Sequence, residues 1–343
     1  MRLLRKILFP FSLIYSGITS IRNKMYDLGI LKSSSFDLPV ICVGNLSVGG
    51  TGKSPMIEYL ISLLKDEFAV ATLSRGYKRE TSGFYLLQGT ELAKAVGDEP
   101  LQFKSKFPEV AVAVDEQRKR GIEELQKIIP RPEIILLDDA FQHRKVKAGL
   151  NILLSSYGKL YSEDQVLPTG DLREPRSRAG RAQLVVITKC PIDLSQPEKE
   201  RIRRSLRLKQ QQQLFFSGIA YGGKVYNESS EMELQKLAGR KFSLVTGIAN
   251  PQPLVDYLNE QDLEFDHLSY TDHHNFSKKE IEALRELPFV LTTEKDFMRL
   301  KGVLEPGKLF YLPMEMKFLC AEEQEEFDRT IQRFSRGSVI GSE

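Results

Sequence analysis

Gly44-Asn45-Leu46-Ser47-Val48-Gly49-Gly50-Thr51-Gly52-Lys53-Ser54-Pro55 lies between an apolar run, residues 38–43, and a helical pattern, residues 56–64. The order is strand, glycine-rich loop, helix. Glycine lets the backbone turn consecutive N–H groups toward an anion. The start of the helix adds the positive end of its dipole. On this pattern Gly49, Gly50, Thr51, Gly52, Lys53 and Ser54 form a nucleotide-phosphate site. Lys53 reaches the outer phosphates and the Ser54 hydroxyl ligates Mg2+. The strict form of the motif has glycine six residues before the lysine, where this chain has Ser47. Three glycines among the four residues before Lys53, in a strand–helix context, outweigh that mismatch. The competing reading is a tight turn followed by a helix cap.

Outward from the loop, short, mostly apolar runs recur at 68–73, 110–114, 133–137, 150–154 and 184–189, with helical patterns between several of them, such as 115–129. Buried parallel strands read as continuous apolar runs, so the pattern predicts an α/β fold with a parallel sheet covered on both faces. Near residue 200 the texture changes to a charged helix over 197–209, a polar run and a strand over 214–218. A second α/β set follows at 242–247, 253–261, 265–268, 278–287, 289–292 and 309–312, which places a boundary near 215–240. The Gly/Ser-rich tail after about residue 336 reads as loose.

The 343 residues suffice for about two domains. A net charge of +3 hides an uneven spread: residues 1–32 carry Arg2, Arg5, Lys6, Arg22, Lys24 and Lys32 against only Asp27. A nucleic-acid binder usually has a broader basic surface, so no nucleic-acid partner is expected. Cys42, Cys190 and Cys320 are far apart, with no metal or disulfide spacing, which suits a reducing compartment. The uncharged stretch from Ile7 to Ile21 is 15 residues, interrupted by Pro10 and Gly17. It is short of the ~20 needed to span a bilayer. Leu4, Leu8, Phe11 and Tyr15 recur at three- and four-residue spacing, and Arg5, Lys6, Arg22 and Lys24 could meet anionic headgroups. An interfacial amphipathic helix is expected; the alternative is a helix packed on the protein with its charges solvated.

Asp138-Asp139 ends the apolar run at 133–137, the place where a phosphate-loop protein holds Mg2+ directly or through water. His143, four residues on, either positions neighbouring groups or is a satisfied structural histidine. Asp98, in the turn Gly97-Asp98-Glu99-Pro100, could be catalytic or simply cap a helix. In the proline-punctuated stretch 167–175, Arg173 could neutralise charge on a transferring phosphoryl group, and Glu174 could bind metal or orient Arg173. Asp272-His273-His274 is wrong for helix-face metal binding, but one histidine could be tuned by the carboxylate beside it. Lys295 follows an apolar strand and could be presented to an anion.

In this order the segments resemble one family, the tetraacyldisaccharide 4'-kinases. The resemblance is carried by the loop from Gly44 to Pro55, Ser74-Arg75-Gly76-Tyr77, Gly97-Asp98-Glu99-Pro100, Asp138-Asp139-Ala140-Phe141-Gln142-His143, Leu172-Arg173-Glu174-Pro175, Thr246-Gly247-Ile248-Ala249-Asn250-Pro251, Asp272-His273-His274 and Thr292-Thr293-Glu294-Lys295-Asp296. It implies two α/β/α domains, the first phosphate-loop NTPase-like, after an N-terminal membrane-interface helix. The implied spans are 1–33 for the helix region, 34–218 for the kinase unit, 219–240 for a β linker, 241–336 for a smaller α/β unit and 337–343 for a tail. It implies ATP and Mg2+, and phosphoryl transfer to the 4'-hydroxyl of a tetraacylated glucosamine disaccharide 1-phosphate to form lipid IV-A, at the cytoplasmic face of the inner membrane. No obligate protein partner is implied.

On the same resemblance Asp98, paired with His273, activates the hydroxyl, with Arg173 and Lys53 as the other catalytic groups. Ser54, Asp138, Asp139 and Glu174 are the implied metal ligands. Asn45, Arg75, Tyr77, Arg118, Gln142, His143 and Lys295 are candidate substrate contacts. The chain departs from the family pattern at Ser54, where threonine is common, at Ala140-Phe141, where glycine-leucine is usual, and at Asp171, where proline is commoner. Two other readings remain open to the sequence: a phosphate-loop enzyme acting on a soluble small molecule, and a membrane-bound nucleotide switch.

Overall fold

The computed structural model describes residues 5, 7–272 and 274–337. Among the described residues the first element is helix α1 (Phe9–Asp27), followed by strand β1 (Val40–Asn45), buried at every position. Helix α2 (Lys53–Leu64) leaves the phosphate loop and buries Met56, Ile57, Leu60, Ile61 and Leu64, the one-sided spacing of a helix lying on a sheet. The following elements are β2 (Val70–Ser74), β3 (Tyr85–Leu86), α3 (Ala93–Val96), α4 (Asp98–Lys106), β4 (Ala111–Val114), α5 (Arg118–Leu125), β5 (Ile134–Asp138), β6 (Leu150–Ser156), β7 (Leu184–Thr188), α6 (Gln196–Leu206) and β8 (Gln213–Tyr221). Next come β9 (Lys224–Tyr226), β10 (Glu231–Glu233), β11 (Phe242–Thr246), α7 (Gln252–Glu260), β12 (Phe265–Ser269), α8 (Lys278–Arg285), β13 (Val290–Thr293), α9 (Glu294–Leu300), β14 (Leu309–Leu312), β15 (Met314–Phe318) and α10 (Ala321–Ser335).

Two sheets result. The nine-stranded one runs β15-β8-β7-β6-β1-β5-β2-β4-β3, and only its edge strands β15 and β3 pair antiparallel. Alternate residues of β1 feed two cores. Ile41 and Val43 pack with α2, while Val40 and Cys42 face the layer holding Ile122 of α5 and Ile202 of α6. Helices therefore cover both faces, which accounts for the continuous apolar strands; each such side chain withdrawn from water contributes roughly 1.5–3 kcal/mol. The six-stranded sheet runs β10-β9-β14-β13-β11-β12, parallel from β14 to β12. Val245, Val290 and Phe297 of this second part join the core of α2 and β1, so the two sheets share packing.

The expected linker at 219–240 and second unit at 241–336 differ from the observed pairing. The first residues of that linker end β8 in the large sheet, and β9 and β10 are edge strands of the small one. After Leu312 the chain returns: β15 pairs with β8, Met314 opposite Tyr221, and α10 buries Phe327 and Ile331 in the large sheet's core. The cause is the alternation Met314, Met316, Phe318 and the helical spacing of Phe327 and Ile331, apolar surface that only the large sheet covers. The two crossings lie side by side, with the Gly222 N–H donating to the Pro313 carbonyl at 3.2 Å. Helices expected over 115–129 and 197–209 are the shorter α5 and α6. Among the described residues no helix is long and apolar enough to cross a membrane.

Candidate active site

All parallel strands of the large sheet point their carboxyl ends the same way, and β1 is the strand from which the order runs outward on both sides, the position where open α/β sheets bind ligands. The loop after β1 is held by its neighbours. Val48 N–H donates to Asp171 O at 2.7 Å and Arg173 N–H to Leu46 O at 2.7 Å, so the 171–173 segment is stitched to the phosphate loop. Asn45 Nδ2 donates to Thr51 Oγ1 (2.7 Å), Thr188 Oγ1 to the Thr51 carbonyl (2.9 Å), and Lys189 Nζ to the Gly50 carbonyl (2.7 Å). Gly49 and Gly52 take φ of +103° and +82°, which a side chain would strain. Among the described residues, no N–H from Gly49 to Ser54 donates to another protein group. With the carbonyls of Gly50 and Thr51 tied back, the loop offers its N–H groups to an anion.

Asp138 and Asp139 follow directly at the end of β5. Asp138 is buried; Ser74 Oγ donates to its Oδ2 at 3.2 Å, and its Oδ1 has no partner. Burial, reinforced by the charge of Asp139, pushes its carboxyl up to about 6. Asp139 sits at φ +45° and accepts from Arg173 Nη1 at 2.9 and 3.0 Å, with Lys53 Nζ 3.8 Å away. Burial would raise its carboxyl, but Lys53 and Arg173 outweigh it and hold the group below its ordinary range. A carboxylate oxygen in want of a partner, a second carboxylate and the Ser54 hydroxyl at the head of α2 suit Mg2+, which binds through one or two carboxylates and completes its shell with phosphate oxygens and water.

Glu174 does not belong to this group. It is buried, with Oε1 accepting from Asn23 Nδ2 (3.0 Å) and Oε2 from Arg181 Nη2 (2.5 Å). Each oxygen thus holds a protein partner, α1 through Asn23 on one and Arg181 on the other, which sets Glu174 apart from the expected metal ligands. Among the described residues no three His, Cys, Asp or Glu side chains form a ready-made metal cage.

Of the expected substrate contacts, Asn45 is wholly buried under the loop and Arg118 is buried with its guanidinium donating to the backbone carbonyls of Asp115 (2.7 Å) and Asp138 (3.1 Å). Both brace the site through these bonds, while Asn45 Oδ1 and Arg118 Nε keep no hydrogen-bond partner among the described residues. Gln142 spans Asn45 O (2.8 Å) and Arg173 Nη1 (3.5 Å). His143 is pushed down to about 4 by burial and by the cations Arg118 and Arg75, so its ring is neutral. Arg75 and Tyr77 are exposed.

Asp98 opens α4 after Gly97 (φ +99°) and is gripped by Arg299 of α9, whose Nε lies 3.1 Å from Oδ2 and whose Nη2 contacts the same oxygen. One residue on, Glu99 pairs with Lys295 at 3.3 Å, and Lys295 lies 3.7 Å from Asp272. His273 lies outside the described residues. His274 stacks on Tyr270 and meets Glu280 at 3.1 Å, a structural place. Arg299 and Lys189 are not among the site residues read from sequence, and Ser74 enters there only as part of the motif at 74–77. For Arg299 a signal existed: it stands four residues after Lys295, on the same helix face.

Helix α1 lies against this site with its polarity reversed. Its buried residues are Ser12 and Asn23, while Ile14 and Ile18 are 61% and 62% exposed and Phe11, Leu13 and Ile21 also face outward. Polar groups dock it: Ser12 Oγ to Thr169 Oγ1 (2.6 Å), Tyr15 Oη to the Arg173 carbonyl (3.2 Å), and Arg5 to Asp171 (2.9 Å). Leu4 and Lys6 lie outside the described residues.

A family model described as tetraacyldisaccharide-1-P 4'-kinase (LpxK) matches residues 4–335. The tetraacyldisaccharide 4'-kinase of Flavobacterium johnsoniae is 50% identical over 342 residues, covering 99% of each chain. That of Bacteroides thetaiotaomicron is 43% identical over 364 residues, covering 99% of this chain and 95% of its own. A crystal structure described as the "apo" form of LpxK from Aquifex aeolicus in complex with ATP superposes with a TM-score of 0.78 at 32% identity, covering 96% of this chain and 99% of that one.

Proposed function

We propose a division of labour for this chain, which belongs to the tetraacyldisaccharide-1-P 4'-kinase family. It is a kinase of lipid A biosynthesis, acting on a hydroxyl group of its lipid disaccharide acceptor. ATP is the donor. Its phosphates lie on the N–H groups of Gly49 to Ser54 and on Lys53, and Arg173 meets the charge that develops on the transferring phosphoryl. Asp138, Asp139 and Ser54 would hold Mg2+, which when bound neutralises charge on the outer phosphates. Asp98 accepts the proton of the 4'-hydroxyl, with His273 as its partner. Arg75, Tyr77, Gln142, His143 and Lys295 line the approach of the acceptor. The observation that carries the reading is the partnerless buried oxygen of Asp138, at the end of the strand paired with β1, whose following loop also has unspent N–H groups. Buried polar groups are rarely left so unless a ligand satisfies them.

The acceptor is a lipid, and the reversed polarity of α1 supports contact with a membrane surface. A stripe of exposed Ile and Phe carried by a helix docked through Ser12 and Asn23 is what an interfacial anchor needs. We place the chain at the cytoplasmic face of the inner membrane, where ATP is available, with the two sheets as two domains whose cleft holds both substrates. The test is transfer of labelled γ-phosphate from ATP to tetraacyldisaccharide 1-phosphate in detergent micelles. A much lower rate in Asp138→Asn, with a higher Mg2+ concentration needed for half-maximal rate, supports the metal assignment; absence of transfer by folded protein overturns the reading.

A further inference from the structure

We infer that Arg299 is a positioning residue for the reaction: it carries the geometry of the small sheet to Asp98 and holds that carboxylate as an aimed, ionised acceptor. The inference rests on the reading of Asp98 as the group that receives the acceptor's proton.

The contact is built rather than incidental. Asp98 and Arg299 are 201 residues apart in sequence, and both side chains are largely withdrawn from water. Two nitrogens of the planar guanidinium grip one carboxylate oxygen, which fixes the place of that oxygen. Arg299 is itself anchored from behind. Its Nη1 donates to Asp296 Oδ1 at 3.1 Å, and Asp296 is wholly buried. Asp296 Oδ2 in turn accepts from the Gly247 N–H and from Thr293 Oγ1, each at 2.8 Å. Gly247 follows β11 and Thr293 ends β13, adjacent parallel strands at the centre of the small sheet. The relay from strand ends through Asp296 and Arg299 to Asp98 has no exposed, flexible member. At Gly247 even a methyl would sit 2.9 Å from Asp296 Oδ1.

Chemistry gives the relay a purpose. Phosphoryl transfer passes through a loose transition state in which alignment of the attacking oxygen matters more than early proton removal. A carboxylate beside an arginine is a weak base, suited to accept the hydroxyl's hydrogen bond at the start and its proton late. Asp98 also opens α4, whose dipole favours the ionised form. Among the described residues the other charged groups facing the pair are Glu99 on α4, Lys295 and Asp296 on α9, and Asp272 beside Lys295. Because Arg299 belongs to the small sheet and Asp98 to a helix of the large one, the acceptor is in place only when the two are together.

The experiment is steady-state kinetics of Arg299→Met, Arg299→Lys, Asp98→Asn and the Asp98→Asn/Arg299→Met double variant in the full chain, with pH profiles. Arg299→Met should lower kcat on the order of 10- to 100-fold with KM for ATP unmoved, and should shift the acidic limb of kcat upward by about one pH unit, the effect of removing a cation in contact with a carboxylate. Arg299→Lys should restore part of the rate. In the Asp98→Asn background Arg299→Met should add little. If Arg299→Met does not fold, Arg299→Lys carries the test: an ammonium cannot make the two-nitrogen grip, so kcat falls while Tm holds. An inactive Asp98→Asn beside an Arg299→Met with unmoved kcat and limb overturns the inference alone, as does an equal loss from Arg299→Met in both backgrounds. Wild-type kcat in Asp98→Asn overturns the proton-acceptor reading, and the inference with it.

Discussion

Asn23, wholly buried on the inner face of α1, donates its side-chain amide to Glu174 at 3.0 Å, next to the ion pair of Glu174 with Arg181. The N-terminal helix is thus fastened to the residue that directly follows Arg173. Glu174→Ala should therefore act on stability. Removing one partner of a buried pair leaves Arg181 uncompensated and costs about 3–5 kcal/mol. Chemical denaturation should record that loss, while the concentration of Mg2+ giving half-maximal rate stays as in the wild type. A large change in Mg2+ dependence with unaltered stability would return Glu174 to the metal site.

The outward stripe of α1 can be tested without touching its docking. Ile14→Asp/Ile18→Asp changes two exposed positions, so stability should change by less than about 1 kcal/mol. Flotation with anionic vesicles should drop severalfold. Equal flotation of the two proteins would remove the membrane role from this face.

Gly44 is required by close approach. A Cβ there would lie 2.6 Å from the Phe141 Cβ and 3.0 Å from the Phe141 nitrogen, a backbone atom that cannot swing aside. Gly44→Ala should force β1 away from the residues after β5 and cost about 1–3 kcal/mol, with weaker ATP binding because the phosphate loop begins two residues later. A folded Gly44→Ala enzyme of unchanged stability and ATP affinity would count against this packing.

Two buried groups predict opposing pH effects. Glu58 of α2 accepts from Gln102 (2.6 Å) and from Lys106 (2.7 Å), while Lys106 is shared with Glu294 at 3.2 Å. Burial, with the neighbouring Glu294 charge, pushes the Glu58 carboxyl up to about 7. The native state then holds a proton that the unfolded chain releases near its ordinary value of 4.5, so this contribution to stability falls as pH rises from about 4.5 to 7. His143, lowered to about 4 from 6.5, does the reverse: its contribution is present above 6.5 and lost as pH falls toward 4. In the window they share the slopes oppose each other. Urea unfolding at pH 5 and pH 8 should be more alkaline-tolerant in Glu58→Gln, by on the order of 1–3 kcal/mol, whereas His143→Gln should flatten the acid side. Identical pH profiles in all three proteins would contradict both shifts.

What sequence could read here follows from burial. Every central strand is packed on both faces, so each is a bare apolar run, and the loop at Gly44–Pro55 and the paired aspartates at the end of β5 stand out against them. The edges were harder. β3, β9 and β10 are two or three residues long, and β15 follows Pro313 with charged residues at alternate positions, so its apolar side is half a pattern. Site residues were legible where chemistry clusters in sequence, as at Asp138, Asp139 and Lys53. Arg299, Lys189 and the Asn23–Glu174 pair were not, because their meaning lies in a partner more than a hundred residues away. Glu174 also illustrates the converse: a carboxylate next to an arginine in a stiff loop looks like a ligand until the helix that occupies it is seen.

The antiparallel pairing of β8 with β15 makes the small sheet a guest inside a hairpin of the large one. Everything from β9 to β14 leaves and re-enters at a single doorway, where Gly222 meets Pro313. Excising that guest and joining the two strands by a short turn would leave the host sheet's strand order intact. With both covalent tethers at one point, the rest of the guest's hold on the host is non-covalent: Val245, Val290 and Phe297 in the shared core and the grip of Arg299 on Asp98.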